Sequence, residues 1–307
     1  MNNIKKYSVC CDIGGSHISC LLIDIETGIL EDKSLISIKV DNNESSETLL
    51  KTWIKAISNC KKSLPDNSEF IGVSMAIPGP FDYENGIGLY DNSNQKFVHL
   101  NNINIKDELS ERLNLEPSQI NFLNDATAFA LGSFWYGSGK EYAKMVAITL
   151  GTGFGSSFID NGKTIEEGPN VPKEGCLWHV PYKDGIADDY FSTRWFVNNF
   201  NLISDEKVTG VRRVAELANE GDKNAIHLFN QFGENLADCL GQYLKAFNTE
   251  VVVMGGNIAE AFSLFKPTLY ASLIENELNI EFKVSILKEN AAMLGAVTTF
   301  NNTQNEK

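Results

Sequence analysis

The chain has 307 residues, enough for two domains of ordinary size, and 43% apolar with 21% charged residues is a globular composition. Its formal net charge of −14, with no separate basic patch, argues against nucleic acid or an anionic membrane as partner, and no apolar run reaches the ~18 residues of a membrane span. The six cysteines (10, 11, 20, 60, 176 and 239) form no CxxC pair and no metal-ligand spacing, which fits reduced thiols in a cytoplasmic setting.

Tyr7 to Asp12 and Ile18 to Asp24 read as strands, and Gly14-Gly15-Ser16 between them as a hairpin turn, since glycine reaches positive φ cheaply. "DIETG" turns again into a third strand. "SSETLLKTWIKAISNCKKSL" has the apolar spacing and Ser/Glu start of an amphipathic helix. "EFIGVSMAIPGPFD" is a strand running into a Pro-Gly-Pro loop, and "INIKDELSERLNL" is a second helix. In "QINFLNDATAFALGSFWYG" a strand gives way to an Ala-rich helix at Asn124-Asp125. The strand "MVAIT" then leads through "GTGFGSSFID" into a Pro- and Gly-rich loop, "EEGPNVPKEGCLWHVPYKDG". Helices follow around "DDYFSTRWFVNNF" and "VRRVAELANEGDKNAIHLFNQFGENLADCLGQYLKAFN". The strand "EVVVMGG", a helix from Ala259, the strand "FKVSILK" and the helix "NAAMLGAVTTF" complete the chain. Alternating strands and helices predict an α/β fold.

"GSHISCLLID" (15–24) and "GTGFGSSFID" (151–160) align without gaps, each after an apolar strand and before a Gly-containing turn. One such hairpin in each half suggests two related lobes. Short turns of small residues expose backbone N–H groups that can ring a phosphate oxygen, and Asp12 beside the first could hold a hydrated Mg²⁺. An ordinary hairpin with Asp12 bonding its own turn is the plainer alternative. Neither turn is a Walker loop or a GxGxxG.

Gly255-Gly256, followed by Asn257, ends a strand before a helix, which suits either close approach of a base or ribose or close strand–helix packing. Asn124-Asp125 suits a helix cap, or a general base with a hydrogen-bonding neighbour. His179 lies in "GCLWHVPYKDG", where Trp178 and Tyr182 read as core or as an apolar wall for a sugar ring. Asp188-Asp189 reads as a helix start.

Together "DIGGSHI", "IPGPFD", "NDATAFALG", "ITLGTGFGSSFIDNGK", "VVMGGNI" and "MLGAV" resemble, in order, the motifs of the ROK family (repressors, open reading frames and sugar kinases) of the actin-like ATPase superfamily. The resemblance covers residues 7 to 298. It implies an α/β fold of two ribonuclease H-like lobes around a nucleotide cleft: residues 1–120, completed by a C-terminal helix at 290–307, and residues 121–289. It also implies a glucokinase-like enzyme that moves the γ-phosphate of ATP, with Mg²⁺, to a hydroxyl of a hexose or N-acetylhexosamine. Under it, Asp12 holds the metal through water beside the phosphate motif Gly14-Gly15-Ser16, and Gly151-Thr152-Gly153 is the second phosphate motif. Gly255-Gly256-Asn257 meets the adenosine, Asp125 is the catalytic base, and Asn124, His179 and Asp188 bind the sugar.

Three departures stand out. Cys176 occupies the place of the family's sugar-binding Glu and Trp178 that of its Gly. The cysteine-rich zinc motif after the histidine is missing, so no structural zinc is expected. The first residues lead straight into a strand, so the repressors' helix-turn-helix domain is not expected. The rivals are a non-catalytic sugar or nucleotide sensor, which the change at Cys176 favours, and a kinase of acetate or a polyol; His179 argues against acetate. Exposed helices could make a homodimer.

Overall fold

Apolar runs interrupted by turns become strands here, and two of the inner ones, Lys6–Ile13 and Val251–Gly255, are buried along nearly their whole length. The computed structural model describes residues 4–91 and 96–302; residues 1–3, 92–95 and 303–307, the last being the end of the expected terminal helix, lie outside the described residues. β1 (Lys6–Ile13) and β2 (His17–Asp24) form the first hairpin, with Cys11 opposite Cys20 and Asp12 opposite Ser19. β3 (Leu30–Lys39) adds antiparallel to β2. α1 (Ser46–Lys61) starts where the Ser45 side chain accepts the Thr48 N–H. β4 (Glu69–Ile77) pairs parallel with β1, and β5 (Phe81–Asp82) with β6 (Ile87–Gly88) makes a small separate ribbon. α2 (Ile105–Leu113), β7 (Ile120–Asn124) and α3 (Asp125–Tyr136) follow.

β8 (Lys144–Leu150), β9 (Phe154–Asp160) and β10 (Lys163–Thr164) repeat the antiparallel series. A two-stranded ribbon of β11 (Pro181–Tyr182) and β12 (Gly185–Ile186) precedes α4 (Ala187–Tyr190), α5 (Thr193–Ile203), α6 (Val211–Asn219) and α7 (Lys223–Phe247). β13 (Val251–Gly255), α8 (Phe262–Glu275), β14 (Glu281–Val284), α9 (Asn290–Ala296) and α10 (Thr298–Asn302) end the described chain.

The two main sheets have one topology. The first is ordered β3-β2-β1-β4-β7 and the second β10-β9-β8-β13-β14, each with three antiparallel strands and then two parallel ones. The likeness of the two hairpins in sequence therefore extends to two whole sheets.

The chain packs as two units, Met1–Gly132 with Glu289–Lys307, and Ser133–Lys288. This moves the expected boundary from 120/121 to 132/133. β7 pairs with β4 from Val73↔Ile120 to Ile77↔Asn124, so a break before residue 121 would cut the first sheet. In the first unit Cys11, Ile13, Ile18 and Cys20 pack with Trp53 and Ile57 of α1 and Leu109 of α2. The other face of that sheet is closed by small residues, Ala76 with Ala128 and Ala292. In the second unit the core runs from Val146, Ile148 and Phe158 to Phe196, Phe229, Phe232 and Phe265. No helix among the described residues is long and apolar enough to cross a membrane.

Candidate active site

In the first unit the turn between β1 and β2 closes on itself through Gly14 N–H, which donates to His17 C=O at 2.9 Å. Among the described residues the N–H groups of Gly15 and Ser16 have no protein acceptor. The Ser16 hydroxyl and His17 Nδ1 lie 2.9 Å apart. A pair of N–H groups at an exposed small-residue turn is a ready phosphate site.

Asp12 is the penultimate residue of β1, beside this turn. Burial pushes its carboxyl up to about 7, and the charges of Asp125 and then Glu289 add to that. A carboxylate so disfavoured as an anion is well placed to take a cation, and an oxygen donor suits hydrated Mg²⁺. Among the described residues no three His, Cys, Asp or Glu side chains are arranged to hold an ion directly.

Asn124 and Asp125 divide the two roles open to them. Asn124 Oδ1 accepts the N–H groups of Ala126 (3.0 Å) and Thr127 (3.2 Å), so Asn124 is the cap of α3. Its amide also donates to Tyr83 Oη at 3.1 Å. Asp125 Oδ1 accepts the adjacent Ala126 N–H, at 2.9 Å. Burial holds the Asp125 carboxyl above the usual range, against the pull of that N–H and of Lys96. A raised carboxylate with an uncommitted oxygen is what a general base requires.

The second unit carries the second turn. Gly151 N–H donates to Gly153 C=O at 3.1 Å, and among the described residues Thr152 and Gly153 N–H have no protein acceptor. The first unit's arrangement is thus repeated. Gly256 has φ +85°, and a Cβ there would run into the Leu150 carbonyl, so this glycine is required by close packing under the turn. Gly255 ends β13, and Asn257 is exposed just beyond it.

His179 is held in place at both flanks. Trp178 C=O accepts the Asp188 N–H and Val180 C=O the Ala187 N–H, both at 3.0 Å. Upstream, Leu177 N–H donates to Ser156 Oγ at 2.7 Å, which ties the loop to β9. Trp178 is 48% exposed, with its ring at 5.1 Å from the His179 imidazole, edge to face. Cys176 Sγ donates to Glu174 C=O at 3.2 Å. Asp188, expected beside the sugar, has both oxygens engaged: Oδ1 accepts the Phe154 N–H at 2.7 Å and Oδ2 the Arg194 guanidinium at 2.6 Å.

Where the family's zinc motif is missing, the β11–β12 ribbon is pinned to α7. Lys183 Nζ donates to Asn235 Oδ1 at 2.6 Å and lies over the rings of Tyr182 and Tyr190. Sequence reading also missed Tyr83, Glu289, Arg194 and Thr193, whose N–H and hydroxyl both reach Gly151 C=O. None of these lies in a motif, and only the folded chain brings them near.

Paired sheets of this topology, each bearing a phosphate-competent turn, define a protein of the actin-like ATPase class. Within that class the chain belongs to the ROK family, whose model matches residues 8–302. Among curated relatives it is 26% identical to a glucokinase of Thermotoga maritima, over 94% of this chain and 95% of that one. It is also 26% identical to an N-acetyl-D-glucosamine kinase of Haemophilus influenzae, over 83% and 85%. In fold it is similar to a ROK family glucokinase from Streptomyces griseus solved with glucose and AMPPNP, with a TM-score of 0.74, 21% identity, and coverage of 95% of this chain and 98% of that one.

Proposed function

We propose that this chain is an ATP-dependent sugar kinase acting on a hexose or N-acetylhexosamine. The observation that carries the reading is the matched pair of turns, each with two N–H groups lacking a protein acceptor among the described residues, together with the half-buried carboxyls of Asp12 and Asp125, both raised by burial. The turns at Gly14-Gly15-Ser16 and Gly151-Thr152-Gly153 bind phosphate oxygens, and Gly255-Gly256-Asn257 meets the adenosine. Asp12 would hold Mg²⁺ through water, and the ion, when bound, would neutralise phosphate charge. Asp125 accepts the proton of the attacking hydroxyl, worth roughly 10²–10⁴-fold, while positioning and charge stabilisation carry the rest. His179 and Asn124 orient the sugar, Asn124 through its hold on Tyr83 and α3.

A second reading, a sugar or nucleotide sensor without catalysis, is favoured by the thiol and indole at Cys176 and Trp178. ADP release, measured over a panel of hexoses, N-acetylhexosamines and polyols with ATP and Mg²⁺, decides between them. Sugar-dependent turnover supports the kinase. Binding of sugar and ATP with no ADP release supports the sensor.

A further inference from the structure

We propose that Asp188 is a positioning residue of the second phosphate turn and not a ligand of the sugar. The inference rests on the nucleotide-binding part of the reading above. Resemblance alone gives Asp188 to the sugar, as a shortened stand-in for the family's glutamate. Its surroundings point the other way.

The carboxylate is only 21% exposed, and each oxygen already has a strong donor: Phe154 N–H at 2.7 Å and Arg194 Nη2 at 2.6 Å. A sugar hydroxyl would have to share an oxygen that a strong donor already holds and orients. Phe154 is the residue directly after Gly153. By taking the Phe154 N–H, Asp188 turns that peptide away and fixes the orientation of the two preceding ones, whose N–H groups lack a protein acceptor. A Cβ built on Gly153 would sit 3.1 Å from Asp188 Oδ1, so turn and carboxylate are packed together. The next helix completes the arrangement: Thr193 bonds Gly151 C=O through both its N–H (2.7 Å) and its hydroxyl (2.9 Å).

The backbone of Asp188 faces the other way, donating to Trp178 C=O beside His179. One residue therefore joins the His179 loop to the Gly151-Thr152-Gly153 turn. Arg194 acts through Asp188: it cancels a charge that would otherwise repel the phosphates.

The test uses the full-length protein and reads nucleotide affinity by calorimetry with Mg²⁺ and AMPPNP, without sugar. Steady-state KM for sugar and for ATP is measured in parallel. Asp188→Ala should weaken nucleotide binding roughly 10-fold or more, the scale of losing a charge-assisted bond, while sugar KM moves less than about 2-fold. Asp188→Asn, which keeps an acceptor for Phe154 N–H, should recover most of the loss. Arg194→Gln, at a side chain 55% exposed, should fold normally and weaken nucleotide binding a few-fold. The double variant should be no worse than Asp188→Ala. Normal nucleotide affinity with a sugar KM raised tenfold or more overturns the proposal and returns Asp188 to the sugar. If Asp188→Ala does not fold, unchanged nucleotide affinity in Arg194→Gln overturns it equally. Failure of the parent to phosphorylate any sugar would sink the kinase reading alone, since the calorimetry still decides this one.

Discussion

The negative charge of Asp125 adds to the burial that pushes the Asp12 carboxyl up to about 7. Without a cation the pair is strained electrostatically. Under the proposed reading, a cation held by Asp12 would offset that cost.

Asp12→Asn should stabilise the protein while removing nucleotide-dependent activity. The folded carboxyl holds its proton up to about 7, whereas its ordinary value is 3.8. The native state therefore binds more protons than the unfolded one between those values, and stability falls as pH rises through that window and is level above it. At pH 8 the wild type bears the full cost of an ionised buried acid. The amide does not, and should gain on the order of 2 kcal/mol, read as a Tm a few degrees higher. An unchanged or lower Tm at pH 8 would show that Asp12 is already compensated in the protein.

Asp125→Asn should lower kcat by at least 10²-fold and leave sugar binding largely intact. The amide can still accept the Ala126 N–H, and Asn124 remains the cap, so α3 should keep its start. Because burial raises the Asp125 carboxyl, wild-type kcat/KM should rise with pH on an ascending limb above the ordinary carboxylate range. Turnover within a few-fold of wild type would leave Asp125 a structural residue only.

Local chemistry made both turns legible: small residues after apolar strands specify hairpins whatever the rest of the chain does. Asp12 stood out for the same reason, as an acid at the end of a buried run. The place of β7 was not legible in the sequence, because it depends on pairing with β4, some 47 residues away between Val73 and Ile120. The engagement of Asp188 was equally hidden, since its acceptor role is fixed by Phe154, 34 positions back. Motif spacing gives residue order along the chain and says nothing of which donor a carboxylate meets.

Lys183→Met should loosen the loop that stands where the family's zinc motif would be. Purified protein is expected to carry no stoichiometric zinc by elemental analysis, because no cysteine lies between His179 and Asp188. The ribbon is instead fastened by Lys183 to Asn235 and by the Tyr182 hydroxyl, 3.3 Å from the same oxygen. Removing the ammonium leaves a buried amide with one weak partner, so hydrogen exchange across 177–190 should accelerate and sugar KM should rise several-fold. About one zinc per chain, or exchange unchanged in the variant, would contradict this account.

The altered loop before His179 sets the last expectation. A thiol is a poor acceptor for a sugar hydroxyl, and Cys176 already donates to Glu174 C=O. The carboxylate it replaces could take two such bonds, and losing a charged hydrogen bond costs about 1.5–3 kcal/mol, one to two decades of affinity. Trp178 offers compensation of another kind, since an indole 48% exposed beside His179 can cover the apolar face of a ring or an acetamido methyl. Glucose binding should therefore be weak, or another sugar preferred. His179→Ala should raise sugar KM tenfold or abolish turnover, because under the proposed reading this imidazole orients the sugar. Trp178→Gly should weaken the preferred sugar, and Cys176→Glu in that background should strengthen glucose by about tenfold. Tight, efficient glucose phosphorylation that is indifferent to His179→Ala would place the sugar elsewhere in the protein.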